Sequence, residues 1–501
     1  MNIQYPVLII IIPLLAAVFS SALMWGNRRL VYPLCVLALA ATAINTFLLL
    51  AEVVHSGPVN YLLAGWSPPW GIQMRVDLLN GLVLCIVSVV ALINLIASFR
   101  SVQQELAEKT DSFYVLYLLF ITGLLGVVIT ADLFNLYVLL EVTSLAAYAQ
   151  IAMGDRDRAP LASLNYVFLG VIGASFYLLG VGYLYIKTGS LNMMDISNIL
   201  PSVYSSIAVF TAFIFCMVGI WVKMALFPLH AWLPNAYTYA PTASSRILAP
   251  LMTKVMVYVM IRLMFSVFGM DYVFQELELS QHIVLLASIA IIAGAVLALA
   301  QNNLKKMLTY IIVSEIGYLV GGAWLGNTAA LTGTILHVLN DALMTFCLFL
   351  AVGNMSYKLK NLDFDNLQGL FSKMPVTMAG FALAGVSIIG IPPTCGFFSK
   401  WFLISGALEA GNYLFLIALI LSSLINAILF FRVFEICLFE PMQAGHGHDY
   451  AHEHPESGIR EAPVSMLVTL MLVAASLLAV GLYSGMIVNQ VVAPFVSGVV
   501  A

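Results

Sequence analysis

The stretch Ala131-Asp-Leu-Phe-Asn-Leu-Tyr-Val-Leu-Leu-Glu141-Val-Thr-Ser-Leu145 sets a carboxylate deep inside an apolar run. Only Ala131 and Asp132 separate this run from the apolar residues that precede it, and the two together are too long for one bilayer crossing of about 20 residues. The reading is therefore two spans, 113–130 and 132–152, with Glu141 near the middle of the second.

Similar runs fill the rest of the chain. Of its 501 residues 62% are hydrophobic and 9% charged, against roughly a quarter charged in soluble domains, which excludes a soluble protein. The net charge of −4, with no long basic run, removes the electrostatic footprint of a nucleic-acid partner. The six cysteines, Cys35, Cys85, Cys216, Cys347, Cys395 and Cys437, stand singly in apolar stretches and read as core residues. No motif for a redox centre is present, so the expectation is no cofactor and no metal. Tyr5 to Met24 lacks a preceding basic region and is followed by Arg28-Arg29, so it is read as a span, not a signal peptide.

The expected fold is an all-α membrane protein of about fourteen crossings, at 5–24, 31–52, 80–98, 113–130, 132–152, 160–186, 204–227, 240–267, 282–300, 305–325, 329–354, 375–405, 411–437 and 464–488. Alternate loops collect the basic residues: Arg28, Arg29, Arg100, Lys109, Arg156, Arg158, Lys305, Lys306, Lys358, Lys360, Lys373, Arg432 and Arg460 fall on one face, only Arg75 and Lys187 on the other. By the positive-inside rule the first face is cytoplasmic, which places the chain in the inner membrane with both termini outside.

Five basic residues remain within or at the ends of spans: Lys223, Arg246, Lys254, Arg262 and Lys400. A charge at the bilayer centre costs at least about 2.5 to 3.5 kcal/mol, so such groups usually face a hydrated interior and carry ions or protons. Arg246 and Arg262, near helix ends, fit snorkelling equally well; Lys223, Lys254 and Lys400 do not, being flanked by apolar residues on both sides. Glu141 is the matching acid. Burial disfavours the charged form of either partner and a mutual ion pair favours it, so each group is poised to change protonation.

Two of these lysines stand beside helix breakers. Lys223 precedes Phe227-Pro228 and His230-Ala-Trp-Leu-Pro234, and Lys400 follows Gly390-Ile-Pro-Pro-Thr-Cys-Gly396. Broken helices at membrane depth are tolerated only where they line protein or a watery cavity. The breaks fall in the seventh and twelfth spans, five apart, which implies a five-helix unit used twice and inverted the second time. The expected domains are 1–112 (three helices), 113–268 and 269–438 (the two units), and 439–501 (a His-rich loop and the last helix).

Five segments together resemble the antiporter-like subunits: Ala131 to Glu141, Val222 to Pro234, Ala240-Pro-Thr with Lys254, Asn303-Leu-Lys-Lys-Met-Leu-Thr-Tyr310, and Gly390 to Lys400. That family comprises Mrp-type cation/proton antiporter subunits, proton-pumping subunits of respiratory complex I, and relatives in membrane-bound hydrogenases. The resemblance implies two inverted repeats and a line of ionisable residues at the membrane midplane. By motif position Glu141 is similar to the family's fifth-helix glutamate, Lys223 to its paired lysine, Lys254 and Lys400 to the eighth- and twelfth-helix lysines, and His337 to the eleventh-helix histidine. It also implies many membrane partner subunits, and by size the chain is closest to the D-type Mrp component and the middle pumping subunits.

The sequence departs from that pattern at Ala249 and Asp341, where histidines are frequent, at Thr345, at Arg246, where a small residue is usual, and at Glu315. Arg246, Glu315, Asp341 and His230 are therefore candidate modulators, and Arg246 is a candidate partner of Asp341 or Glu315. The His446-Gly-His448 to His454 segment can be written as a zinc or nickel site, but its spacing imposes no geometry and a solvated loop is the better reading. Three functions fit: a sodium/proton antiporter subunit of Mrp type, favoured; the proton-pumping arm of a complex I-like or hydrogenase redox complex; and a scaffold.

Overall fold

The structure, a computed structural model, describes residues 4–359, 361–439 and 460–500, so the His-rich segment 446–454 lies outside the described residues. Among these, thirteen helices are long and apolar enough to cross a membrane. They are Tyr5–Leu23, Arg28–Ser56, Leu78–Glu105, Thr110–Ile129, Leu133–Ala152, Ala159–Thr188, Ile207–Met224, Thr242–Phe268, Ser280–Leu299, Leu304–Trp324, Thr328–Lys358, Tyr413–Leu438 and Val464–Leu482. The fourteenth crossing is the broken twelfth span, two helices of 15 residues each, Pro375–Ile389 and Cys395–Glu409.

Local chemistry explains the boundaries. The fourth helix stops at Ile129, Thr130 is extended, and the fifth restarts because Asp132 caps it, its Oδ1 accepting the Asn135 N–H at 2.7 Å. The seventh span ends where Ala225 takes a left-handed φ of 62°, and the chain resumes as the short helix Leu233–Tyr239. The twelfth breaks at Gly390, φ 92°, a conformation that glycine adopts without steric cost.

The doubled unit is visible atom by atom. The N–H of Leu133 donates to Leu191 O at 2.9 Å, and 171 residues on the N–H of Leu304 donates to Leu362 O at 2.9 Å. Asp132 bridges Asn192 just as Asn303 bridges Asp363. Helices four and five touch where a Cβ on Gly123 would lie 2.9 Å from Thr143 N, and helices nine and ten touch where one on Gly294 would lie 2.6 Å from Ser314 N. Five helices is an odd number, so the second unit crosses the membrane in the opposite sense.

Helices eight, ten and eleven are each 94% buried, whereas the first, sixth and fourteenth are less than 40% buried. The former make a central wall screened from lipid on all sides, and it is there that the polar residues concentrate.

Candidate ion-translocation site

The first pair forms where two helices of the first unit meet. Lys223 occupies the last turn of Ile207–Met224, and its Nζ donates to Ser144 Oγ at 2.8 Å and Glu141 Oε1 at 3.2 Å. Trp232 holds the broken end in place, donating Nε1–H to Val222 O at 3.0 Å and stacking on Tyr166 with centroids 3.8 Å apart. The Lys223 side chain is sealed, while Glu141 is 24% exposed and thus lies at the flank of the bundle.

The second group is larger and crosses from one unit to the other. Lys254, on the eighth helix, has its Nζ 2.9 Å from Asp341 Oδ2 on the eleventh, an ionic contact with both side chains buried. Thr345 Oγ1 holds the other carboxylate oxygen, donating to Asp341 Oδ1 at 2.8 Å. One turn back along the eleventh helix, His337 Nε2 lies 2.7 Å from Glu315 Oε2 on the tenth and its Nδ1 lies 2.9 Å from Ser399 Oγ. Glu315 Oε1 then stands 4.0 Å from Lys400 Nζ.

The twelfth-span break supplies the remaining partner of Lys400. A helix that ends at Ile389 leaves its last carbonyls without intrahelical donors. Lys400 Nζ donates to one of them, Ile388 O, at 2.6 Å, and to Ser423 Oγ at 3.3 Å, with the Tyr318 ring 4.8 Å away. A lysine at such a terminus meets both a hydrogen-bond acceptor and the negative end of the helix dipole. Asn340 closes the break from the other side, its Nδ2 donating to Cys395 O at 2.7 Å and Ser399 Oγ at 3.0 Å.

The ammonium groups expected to lie in the interior do so: the side chains of Lys223, Lys254 and Lys400 are 0%, 3% and 7% exposed. Lys254 and Asp341 form one pair, His337, Glu315 and Lys400 a second group one turn further along the eleventh helix, and Lys223 and Glu141 a third; among the described residues no hydrogen bond or ion pair joins any of the three to another. His230 joins neither. It is half-buried and stacks on Phe227, centroids 5.1 Å apart.

Two expectations need correction, and one open alternative is decided. Arg246 pairs with neither Asp341 nor Glu315. Its guanidinium, wholly buried, reaches Ala97 O and Ser101 Oγ on the third helix at 3.4 and 3.5 Å, and Leu350 O and Asn354 Oδ1 on the eleventh at 3.3 and 3.1 Å. The reason is reach: the turn of the eighth helix that carries Arg246 lies two turns nearer the basic face than Lys254, level with the end of the third helix. Arg262, for which the sequence leaves snorkelling and an interior role open, is held by Asp77 in a two-point clasp of 2.7 and 2.9 Å. Lys305, counted with the basic residues of the loops although it opens the 305–325 crossing, is buried, its Nζ donating to Ala240 O at 3.0 Å.

Sequence reasoning missed Asp77, Lys305 and the serines. Ser144, three residues after Glu141, falls on the same helical face and was legible from spacing alone; Ser399, which precedes Lys400, carries no comparable signal. All six cysteines are buried and free.

A doubled five-helix unit, broken at its seventh and twelfth crossings and carrying buried acid-base pairs along its central wall, defines an antiporter-like membrane protein. Residues 130–426 match the family described as NADH:quinone oxidoreductase/Mrp antiporter, TM, and the chain belongs to that family. It is 40% identical over 500 residues to the N-type subunit of NADH-quinone oxidoreductase from Desulforudis audaxviator, covering 98% of each chain. To the D-type subunit of the Na(+)/H(+) antiporter from Bacillus subtilis it is 29% identical over 432 residues, 86% of each. Among solved structures it is similar to a chain of the archaeal membrane-bound sulfane sulfur reductase, with 27% identity, a TM-score of 0.87 and 99% of each chain covered. A chain of the Mrp complex from Dietzia sp. DQ12-45-1b shares the fold at a TM-score of 0.89 and 21% identity, over 99% and 98% of the two chains.

Proposed function

We propose that this chain is a proton-translocating subunit of a multi-subunit membrane complex, in which protons pass between Glu141 and Lys223, Lys254 and Asp341, His337 and Glu315, and Lys400. The observation that carries the reading is that two buried groups, Lys254 with Asp341 and His337 with Glu315 and Lys400, stand one helical turn apart on the eleventh helix and draw on both repeats. Buried charges of this density serve stability poorly, because desolvation offsets most of the Coulombic gain. They serve a relay well: when one site gains or loses a proton, the charge felt by its neighbour changes, and the next proton transfer is favoured or opposed. The face that bears Arg28, Arg156 and Lys306 is taken as cytoplasmic and the membrane as the bacterial inner one, with both termini outside.

Two sources of driving force fit the same machinery. In an Mrp-type assembly, sodium or another monovalent cation moves against protons, which accords with the Na(+)/H(+) antiporter relatives. In a complex I-like or hydrogenase-like assembly, partner subunits do redox chemistry and this chain pumps; the 40% identity to an N-type oxidoreductase subunit over almost the whole length favours this second reading.

The test is to purify the complex through a tag on this chain, identify its other subunits, and reconstitute it in vesicles with a pH-sensitive dye. Proton movement that needs a sodium gradient, with small hydrophobic partners only, supports antiport. Movement that needs an electron donor, with iron-sulfur or flavin partners, supports the pump. No proton movement under either condition would sink the proposal.

A further inference from the structure

Lys305 is a buried cation that the relay does not use. It sits in the first turn of the tenth helix, 6% exposed, and its ammonium makes one hydrogen bond among the described residues, to Ala240 O. No carboxylate lies within 4.0 Å of it among the described residues, in contrast to Lys223, Lys254 and Lys400. Glu105, which lines the same pocket, is occupied elsewhere: its Oε2 accepts the Thr242 N–H at 2.8 Å and so caps the eighth helix.

Lys305 also lines a pocket of about 430 Å³ on the basic-rich face, whose other walls include Glu105, Asp155, Arg156 and Thr242. Asp155 and Arg156 are exposed at its rim. The carbonyl that Lys305 holds belongs to the turn between the short helix Leu233–Tyr239, which continues the Lys223 span, and the eighth helix, which carries Lys254. Ser245 Oγ donates to the same carbonyl at 3.3 Å. On these two helices the hydroxyls of Tyr237, Thr238 and Ser244 are buried and have no partner among the described residues. Buried hydroxyls of that kind can hold water, which is how a proton crosses between groups out of mutual reach.

Resting on the proton-translocation reading above, we infer that Lys305 is the group that takes protons from the basic-rich face and passes them to the Lys223 and Lys254 sites. A lysine suits the task because it exchanges its proton when buried, while an arginine in its place would keep the charge and the carbonyl contact but hold its proton. The rival role, a tie that pins the turn at Ala240, needs only the charge and the hydrogen bond. Arginine therefore separates the two.

The experiment uses the assembled complex in inverted vesicles, with Lys305→Arg, Lys305→His and, as a control on the underlying reading, Lys223→Ala. Proton uptake in Lys305→Arg is expected to fall at least about tenfold at unchanged complex content, as for loss of a proton-transferring group. Lys305→His is expected to regain uptake at lower pH, with its pH profile displaced toward acid. Uptake near the native rate in Lys305→Arg overturns the inference. Should the arginine variant lower complex content, the histidine variant decides alone, and an undisplaced pH profile overturns it. If Lys223→Ala also leaves uptake intact, it is the translocation reading that has failed.

Discussion

Lys254 and Asp341 come from different halves of the duplicated fold, yet their side chains meet at 2.9 Å in the centre of the bundle. The eighth helix closes the first unit and the eleventh lies within the second, so this ion pair ties the two halves together at the centre of the bundle. His337, one turn from Asp341 on the same helix, is in contact with Glu315, which in turn stands 4.0 Å from Lys400.

Removing Asp341 should be worse than removing the pair. Asp341→Asn leaves the Lys254 ammonium buried without its counter-charge, and breaking such a pair from one side costs about 3–5 kcal/mol. The double variant Lys254→Met with Asp341→Leu should recover most of the thermal stability of the purified complex and none of its proton transport. Equal destabilisation in single and double variants would show that the pair is not coupled.

Lys223→Ala is expected to abolish ion-coupled activity with the chain still inserted and assembled, because the carboxylate it leaves behind, Glu141, is 24% exposed and buried Ser144 keeps its hydrogen bond to Leu140 O. Glu141→Gln should act in the same direction but more mildly, since the amide oxygen can still accept from Lys223. Proton uptake by vesicles, normalised to complex content, is the measurement.

Arg246 rests against the backbone of Gly353, where an added Cβ would overlap its guanidinium. Gly353→Ala must therefore displace a buried guanidinium and is expected to cost about 1–3 kcal/mol, the usual range for overpacking. Adding Arg246→Met, which removes the clash, should restore the thermal midpoint.

The Asp77–Arg262 clasp gives the corner opposite the basic-rich face a pH dependence. Burial pushes the Asp77 carboxyl up, but the Arg262 guanidinium beside it and the Asn80 N–H pull it down further, so it ends below the ordinary carboxylate range. A carboxyl depressed on folding contributes stability in full above its unfolded value of about 3.9, and that contribution is lost as pH falls through the lower folded value. The thermal midpoint should thus drop on acidification below about pH 4, and Asp77→Asn should lower it at neutral pH while removing part of that acid sensitivity.

What the sequence determined by itself was everything that depends on local, additive properties. Apolar run length gave the crossings, including the break between Ile129 and Leu133; prolines and Gly390 gave the two interrupted helices; and insertion cost singled out Lys223, Lys254 and Lys400 as interior charges. Which charge meets which was beyond it. Asp341 engages Lys254 and not Arg246, Asp77 reaches Arg262 from 185 positions away in the chain, and Lys305 turns inward from the very end of a crossing. Pairing depends on the rotation and depth of each helix against its neighbours. Those are set by side-chain packing between helices, such as Gly123 on Thr143 and Gly294 on Ser314, and no periodicity along one helix encodes the face another will present to it.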